Sequence, residues 1–329
     1  MKTHEATGRA PVRGTLFALI LAMTGCTQAP DLKVVQAERA KPVLRFDTFQ
    51  SAASNGKVLA AGSDGGVIVT SADRGDTWTR LQLPSPASVI ALTQCPDGTL
   101  AGLDFYRKVW IGDASGQKWE PRDIKTANNV LALACDLDNR LWVVGSRTSI
   151  LSSADKGASW QGTDFGDDAI LTTVQFLDAK RGVITGEFGI VVTTADSGAT
   201  WQQQSKIPGE FYPYAAVFTD AQHGWVTGLA GVILYTGDSG KTWTKQVNQT
   251  GAPMYALVKV GEDIYGLGVG GLMVILRGNE WSRFNHGKAL PADLAAGVAV
   301  DSQSLLVTGA AGALQVVNAT AKVSAVGSR

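Results

Sequence analysis

Apolar residues in this chain fall in runs of four to seven, separated by turns bearing Gly and Asp. The pattern returns about every forty residues. One clear set is Tyr214-Ala-Ala-Val-Phe218, Gly224-Trp-Val-Thr-Gly228, Val232-Ile-Leu-Tyr235 and Lys241-Thr-Trp-Thr-Lys-Gln-Val247. Short runs rich in β-branched and aromatic residues, bounded by turn formers, predict strands a, b, c and d of one small antiparallel unit. No stretch beyond the N-terminal segment holds a helical apolar period. Strand b recurs as Val58-Leu-Ala-Ala-Gly62, Leu100-Ala-Gly102, Leu141-Trp-Val-Val-Gly145, Val183-Ile-Thr-Gly186, Ile264-Tyr-Gly-Leu-Gly268 and Leu306-Val-Thr-Gly309, seven copies with Gly224–Gly228. Trp78, Trp119, Trp160, Trp201, Trp243 and Trp281 keep the same beat, at intervals of 41, 41, 41, 42 and 38.

A fixed period of this length signals an array of one supersecondary unit. Four-stranded antiparallel units repeated radially form a β-propeller, which leaves only short, protected edges. The sequence therefore predicts an all-β fold, a seven-bladed propeller over residues 43–329. Six blades with an irregular C-terminal extension is the alternative. The seventh unit runs through Ala313-Leu-Gln-Val-Val317 without a Trp. Its outer strand must come from elsewhere, from Val43-Leu-Arg-Phe46 or from Ala321-Lys-Val-Ser-Ala325.

The segments closing at Trp78, Trp160, Trp201 and Trp243 fit Ser/Thr-x-Asp-x-Gly-x-Thr/Ser-Trp, the Asp-box pattern, with Asp73, Asp155, Asp196 and Asp238 as its carboxylates. In a c–d turn such a carboxylate accepts backbone N–H bonds of its own turn, Gly supplies positive φ, and the Trp buries its ring between neighbouring blades. Blade two carries Asp113 one place early, and blade six keeps only Gly278 and Trp281. These carboxylates are spread evenly around the ring, so they do not converge on one substrate or metal, and a structural role is the expectation.

Chemistry at the N-terminus changes the picture of location. Lys2, Arg9 and Arg13 precede the apolar run Leu16-Phe-Ala-Leu-Ile-Leu-Ala-Met23, which is too short to span a bilayer as a mature helix. The run ends in Met23-Thr24-Gly25-Cys26, similar to a bacterial lipobox. Residues 1–25 are read as a lipoprotein signal peptide, Cys26 as the lipidated residue and 26–42 as a polar tether. Thr27 and Gln28 follow Cys26, with no Asp to suggest retention at the inner membrane, so the expected location is the cell envelope, anchored to the outer membrane and facing the periplasm. The full chain has 29 basic and 29 acidic residues. Such a balance points to no nucleic-acid surface. In an oxidising compartment Cys95 and Cys135 can pair, because aligning Val89-Ile-Ala-Leu92 with Val130-Leu-Ala-Leu133 leaves them one residue out of step and thus on opposing blade faces. Two small buried hydrophobes is the competing reading.

Chain direction puts the a–b and c–d turns on one face and the b–c turns and d–a connections on the other. Function resides on irregular loops held by a rigid scaffold, so the second face is the one to search. After strand b, blade one offers Asp64, blade two Asp104, Phe105, Tyr106 and Arg107, blade three Arg147, and blade four Glu187 and Phe188. Blades five to seven offer only Leu229, Val269 and Ala310. Glu210, Phe211 and Tyr212 lie in the long connection Ser205–Tyr214; a second long connection is Asn285–Leu294. Arg and aromatic residues with acidic neighbours form the kind of patch that dominates protein interfaces. Aromatics capping the core beside solvated charges are the plainer possibility. His4, His223 and His286 have no ligand spacing, and no Gly-rich phosphate loop or Ser/His/Asp grouping is legible, so no metal, nucleotide or other cofactor is expected.

The Asp boxes, the short Gly-rich blades, the blade count and the lipobox together resemble the photosystem II stability/assembly factor-like family, most distinctively in Asp220-Ala-Gln-His-Gly-Trp-Val-Thr-Gly-Leu-Ala-Gly-Val-Ile-Leu-Tyr-Thr-Gly-Asp-Ser-Gly-Lys-Thr-Trp243. The resemblance implies a non-catalytic scaffold in the lumen or periplasm that holds a membrane-protein intermediate during assembly; members in photosynthetic organisms carry an arginine-rich binding patch, and here only Arg107 and Arg147 fall on the b–c face. A transporter or another envelope complex is the other partner considered. Asp boxes also mark sialidases, so a glycoside hydrolase using Glu187, Asp104 and Asp64 is an alternative, although the sialidase Arg-Ile-Pro signature is absent. A carbohydrate- or peptide-binding module is a third.

Overall fold

The computed structural model describes residues 32–287 and 289–320. Seven sheets follow one another along the chain, antiparallel except for one short strand added to the sixth. In blade one, strands a to d are Phe49–Ser54, Leu59–Ser63, Val67–Ser71 and Thr79–Gln82, paired in that order. The innermost strands of blades two to seven are Val89–Gln94, Val130–Cys135, Leu171–Phe176, Ala215–Phe218, Met254–Val260 and Leu294–Asp301. Each packs beside the next, and that of blade seven packs beside that of blade one. The fold is a closed seven-bladed propeller, not the six-bladed alternative.

The core is divided among the gaps between blades. Seven apolar clusters are found, each filling the gap between two neighbouring blades. In the gap between blades three and four, Trp142, Ile150, Leu171 and Ile184 are buried together. This division explains why strand b is buried along its whole length in blades one to four. Sheets lie against both of its faces, so it is built from small and branched apolar residues rather than from an alternating pattern.

The ring is latched where its ends meet. Arg74 of blade one pairs with Asp301 of blade seven. Gly75, at φ 97°, has no side chain, and a Cβ there would strike Val316 of blade seven. Val43-Leu-Arg-Phe46 does not supply a closing strand. Instead, the carbonyl of Asp47 accepts the N–H of Gly312 at 2.8 Å. The Asp47 carboxylate, only 4% exposed, takes Arg80 Nη1 and Nη2 at 2.7 and 2.9 Å and the N–H of Leu44 at 2.7 Å. Two bonds from a planar guanidinium fix that geometry more tightly than one. Blade seven has three strands among the described residues; Ala321–Ala325 and Cys26 lie outside them.

One further expectation needs correction. The segment expected as strand d of blade five divides, with Thr244–Lys245 pairing in blade five and Val247–Asn248 adding parallel to the outer edge of blade six. The side chain of Gln246, between them, explains the break. Its Oε1 accepts the indole N–H of Trp225 at 3.0 Å and of Trp281 at 2.8 Å, one in each blade. The expected tether contains a helix, Lys33–Arg39, with no buried residue, in the unit Met1–Ala40. Lys-Val-Val-Gln-Ala-Glu-Arg includes several good helix formers and no Gly or Pro, and no apolar stripe in it needed to be buried. No helix among the described residues is long and apolar enough to cross a membrane.

Candidate functional site

The Asp-box face is occupied with its own turns. Asp73 Oδ1 accepts Ser71 Oγ at 2.7 Å and the N–H of Thr77 at 2.9 Å, while Oδ2 accepts Thr77 Oγ1. Asp155, Asp196 and Asp238 repeat the arrangement with Ser159, Thr200 and Thr242. The hydroxyl bond from the Thr or Ser four residues on, followed by the N–H of that same residue, holds each of these four carboxyls at about 2. Acceptors so committed are poor proton carriers near neutrality. Asp113, one place early, does the same work with Ser115 Oγ and the N–H of Gln117. Trp78, Trp160, Trp201 and Trp243 are half-buried against the inter-blade clusters.

On the opposite face the b–c turns are braced by the d–a connections. Phe105 donates its N–H to Ser88 O, Glu187 to Ile170 O and Ala310 to Asp293 O, each near 2.9 Å. Upon this frame the predicted residues separate into two groups. Phe105 and Tyr106 are 58% and 50% exposed, edge to face at 5.7 Å. Arg107 beside them is exposed, with φ 61°. Arg147 is exposed at φ 58°, and its guanidinium has no ion-pair partner among the described residues. Phe188 is 49% exposed at φ 55°. Asp64 and Glu210 are exposed and Tyr212 is half-buried.

Asp104 and Phe211 belong to the other group and do not face a partner. Asp104 is fully buried; its carboxylate accepts the N–H of Tyr106 at 2.6 Å and the indole N–H of Trp110 at 2.9 Å. It shapes the turn that presents Phe105 and Tyr106. Phe211, 8% exposed, fills the gap between blades four and five. Glu187 is intermediate, with Oε2 accepting the N–H of Ile170 at 2.9 Å. Asp64, Asp104 and Glu187 sit in blades one, two and four, and the buried Asp104 cannot serve as the acid or base of a glycosidase. Among the described residues no three His, Cys, Asp or Glu side chains are placed to hold a metal ion. Cys95 and Cys135, at the other end of the innermost strands, are joined by a disulfide between blades two and three.

The sequence reading missed the mouth of the central channel. In six blades the innermost strand carries a β-bulge at its second residue: Gln50, Ile90, Leu131, Thr172, Tyr255 and Ala295. Tyr214 takes the same place in blade five, its N–H bonded to Thr227 O. All seven are half-buried. A bulge re-aims a side chain, here around the rim. Tyr214 meets Tyr255 of the next blade at 5.7 Å and Tyr212 at 6.1 Å. Burial, then the nearby Glu187 carboxylate, then Tyr214, raise the Tyr212 phenol. The forty-residue spacing of these positions was the available signal, but Tyr255 lies in an inner strand that reads as core. A cleft of about 550 Å3 lined by Gln249, Thr250, Gly270 and Arg283 opens where the blade-six loop is small.

Comparison with known proteins follows the same lines. The sequence model of the family described as photosynthesis system II assembly factor YCF48 matches residues 111–217 and 203–326, well over half of the chain. A photosystem II assembly lipoprotein Ycf48 of Prochlorococcus marinus is 27% identical over 149 residues, covering 42% of this chain and 44% of that protein. The chain thus spans less than half the length of the curated relatives it matches. Among solved structures, a catalytically inactive virginiamycin B lyase from Staphylococcus aureus superposes with TM-score 0.72 at 13% identity, covering 83% of this chain and 96% of the lyase. A YCF48 structure bound to a D1 peptide superposes with TM-score 0.67 at 13% identity, covering 85% and 95%. At that identity both likenesses speak for the propeller fold alone. The two family matches, laid over the blades described above, establish that this chain belongs to the photosynthesis system II assembly factor YCF48 family.

Proposed function

We propose that this chain is a non-catalytic scaffold that holds part of a membrane-protein complex during assembly, using the face formed by its b–c turns and d–a connections. The observation that carries this reading is the crescent of exposed Phe105, Tyr106, Arg107, Arg147 and Phe188 over blades two to four. Three of these, Arg107, Arg147 and Phe188, stand on left-handed backbone. The Asp-box turns hold the same conformation at Arg74, Lys156, Ser197 and Ser239, so the exposed Arg and aromatic character of these positions, not the backbone alone, supports the reading. Arg and aromatic side chains are also those that carry most interface energy. Relatives named photosystem II assembly lipoproteins, and a family structure bound to a D1 peptide, support a client that is a polypeptide of an integral membrane complex. The lipobox-like Met23–Cys26 supports an anchor at Cys26, with the propeller on the periplasmic side of the outer membrane.

Crosslinking of the full chain in membranes, followed by capture, tests this. Wild type should recover an integral membrane protein, and Arg107→Ala/Arg147→Ala should recover at least fivefold less. Equal recovery by both would refute the assignment of the face. Turnover of aryl glycosides by the wild type, abolished in Glu187→Gln, would refute the non-catalytic reading.

A further inference from the structure

The channel mouth is not uniform in chemistry. On one arc Gln50, Ile90, Leu131, Thr172 and Ala295 are neutral and mostly aliphatic. On the other, Tyr214 and Tyr255 stand at adjacent positions of the rim with rings inclined at 61°, and Tyr212 stands at 69° to Tyr214. Steeply inclined rings form walls rather than a stack. Their three hydroxyls make no hydrogen bond to any described residue, in contrast to the buried Tyr265, whose hydroxyl bonds to Ala319 O at 2.6 Å. Near Tyr212 lies Glu187, one oxygen fixed by Ile170 N–H and the other with no hydrogen-bond partner among the described residues. The one cation–aromatic contact found among the described residues, Arg140 over Trp142, is elsewhere.

We propose that Tyr212, Tyr214 and Tyr255, with Glu187 at one side, form an aromatic cage for the cationic side chain, arginine or lysine, of a bound polypeptide. Ring faces carry negative quadrupole potential and attract a cation placed over them, the more so where water is partly excluded. A carboxylate with a free oxygen adds a charged acceptor for a guanidinium or ammonium N–H. The crescent then has two signs. Arg107 and Arg147 on blades two and three suit an acidic residue of the client, and the cage at blades four to six takes a basic one. This inference rests on the reading of the face as a polypeptide-binding surface and adds the polarity of the segment it holds.

The test uses arginine amide as probe and citrulline amide, its uncharged near-isostere, as control. Tyrosine-labelled full chain is titrated with each and followed by NMR of the ring protons. Arginine amide should shift a subset of tyrosine signals saturably, at least tenfold tighter than citrulline amide. Tyr255→Leu should weaken it about threefold to tenfold, the range of one cation–π wall. Glu187→Gln, which keeps an acceptor for Ile170 N–H, should weaken it by a similar factor without changing the melting temperature. Equal affinity for the two amides, or no saturable shift, would overturn the cage. Failure of the cage with client capture still lost in Arg107→Ala/Arg147→Ala would leave the scaffold reading intact, so the two can fail separately.

Discussion

Breaking the bridge between blades two and three should cost more than any single surface contact. Cys95 and Cys135 are 40 residues apart in sequence. A cross-link closing a loop of that length lowers the entropy of the unfolded chain by an amount worth about 4 kcal/mol at 25 °C. Cys95 is buried among Leu103, Val130 and Leu133, so the alanine variants also lose a small packing contribution from the sulfur, which the reduced wild type keeps. With unfolding entropy near 2.1 cal/mol/K per residue over a propeller of this size, that corresponds to a fall of about 6 °C in melting temperature. Cys95→Ala/Cys135→Ala, either single variant, and the reduced wild type should all fall by similar amounts, because each removes the same link. Calorimetry of the four samples, with thiol titration under denaturant, measures this. A double variant within about 2 °C of the oxidised wild type would refute the argument that the bridge acts by restricting the unfolded chain.

Acid should act through the Asp boxes. Asp73, Asp155, Asp196 and Asp238 titrate near 2 when folded, against 3.8 for a free side chain. A lowered folded value means stability that is complete above the free value and is lost as pH falls toward the folded one. Melting temperature should therefore hold level down to about pH 5 and decline between about 4 and 2, and Asp238→Asn should flatten part of that decline; a level profile to pH 2 would contradict the hydrogen-bond account. Asp104→Ala leaves the buried indole N–H of Trp110 and the N–H of Tyr106 without acceptors. Urea unfolding should show a loss of about 2 to 4 kcal/mol, with Asp104→Asn costing less. Phe188→Gly relieves a left-handed residue and should leave stability unchanged or raised by up to about 1 kcal/mol, while lowering client capture; a variant that loses stability would show the ring to be a packing element instead.

The repeat made the fold legible because each unit uses the same turn chemistry. Ser71, Asp73, Gly75 and Thr77 appear in order, and that order is the hydrogen-bond list of the turn. What the repeat could not encode is how the ring closes. That depends on contacts made once, such as Arg80 with Asp47, whereas Arg74 with Asp301 repeats between blades seven and one what Lys156 with Asp97 does between blades two and three. The divided strand around Gln246 was hidden for a like reason, since a single side chain serving two tryptophans from two blades leaves no periodic mark. At the site, polarity misled. Asp104 follows a strand-b position and reads as an exposed loop acid, yet a carboxylate that satisfies one backbone N–H and one indole can be buried without an ionic partner.

The second residue after the strand-b glycine separates structure from function most sharply. In blades five and six it is Ala230 and Gly270, at φ 53° and 60°. In blade four the same position, at φ 55°, is Phe188. A turn of one geometry accepts Gly at no steric cost, Ala at some, and an aromatic residue at about 1 to 2 kcal/mol relative to ordinary backbone. The turn gains nothing from the larger side chain, because Phe188 is 49% exposed and adds no buried core. Arg147, at φ 58° in blade three, sits under the same constraint and is exposed as well. Fold stability accounts for Gly270 most readily and for Phe188 and Arg147 least. Under the scaffold reading proposed above, contact with a partner over blades three and four offsets that cost.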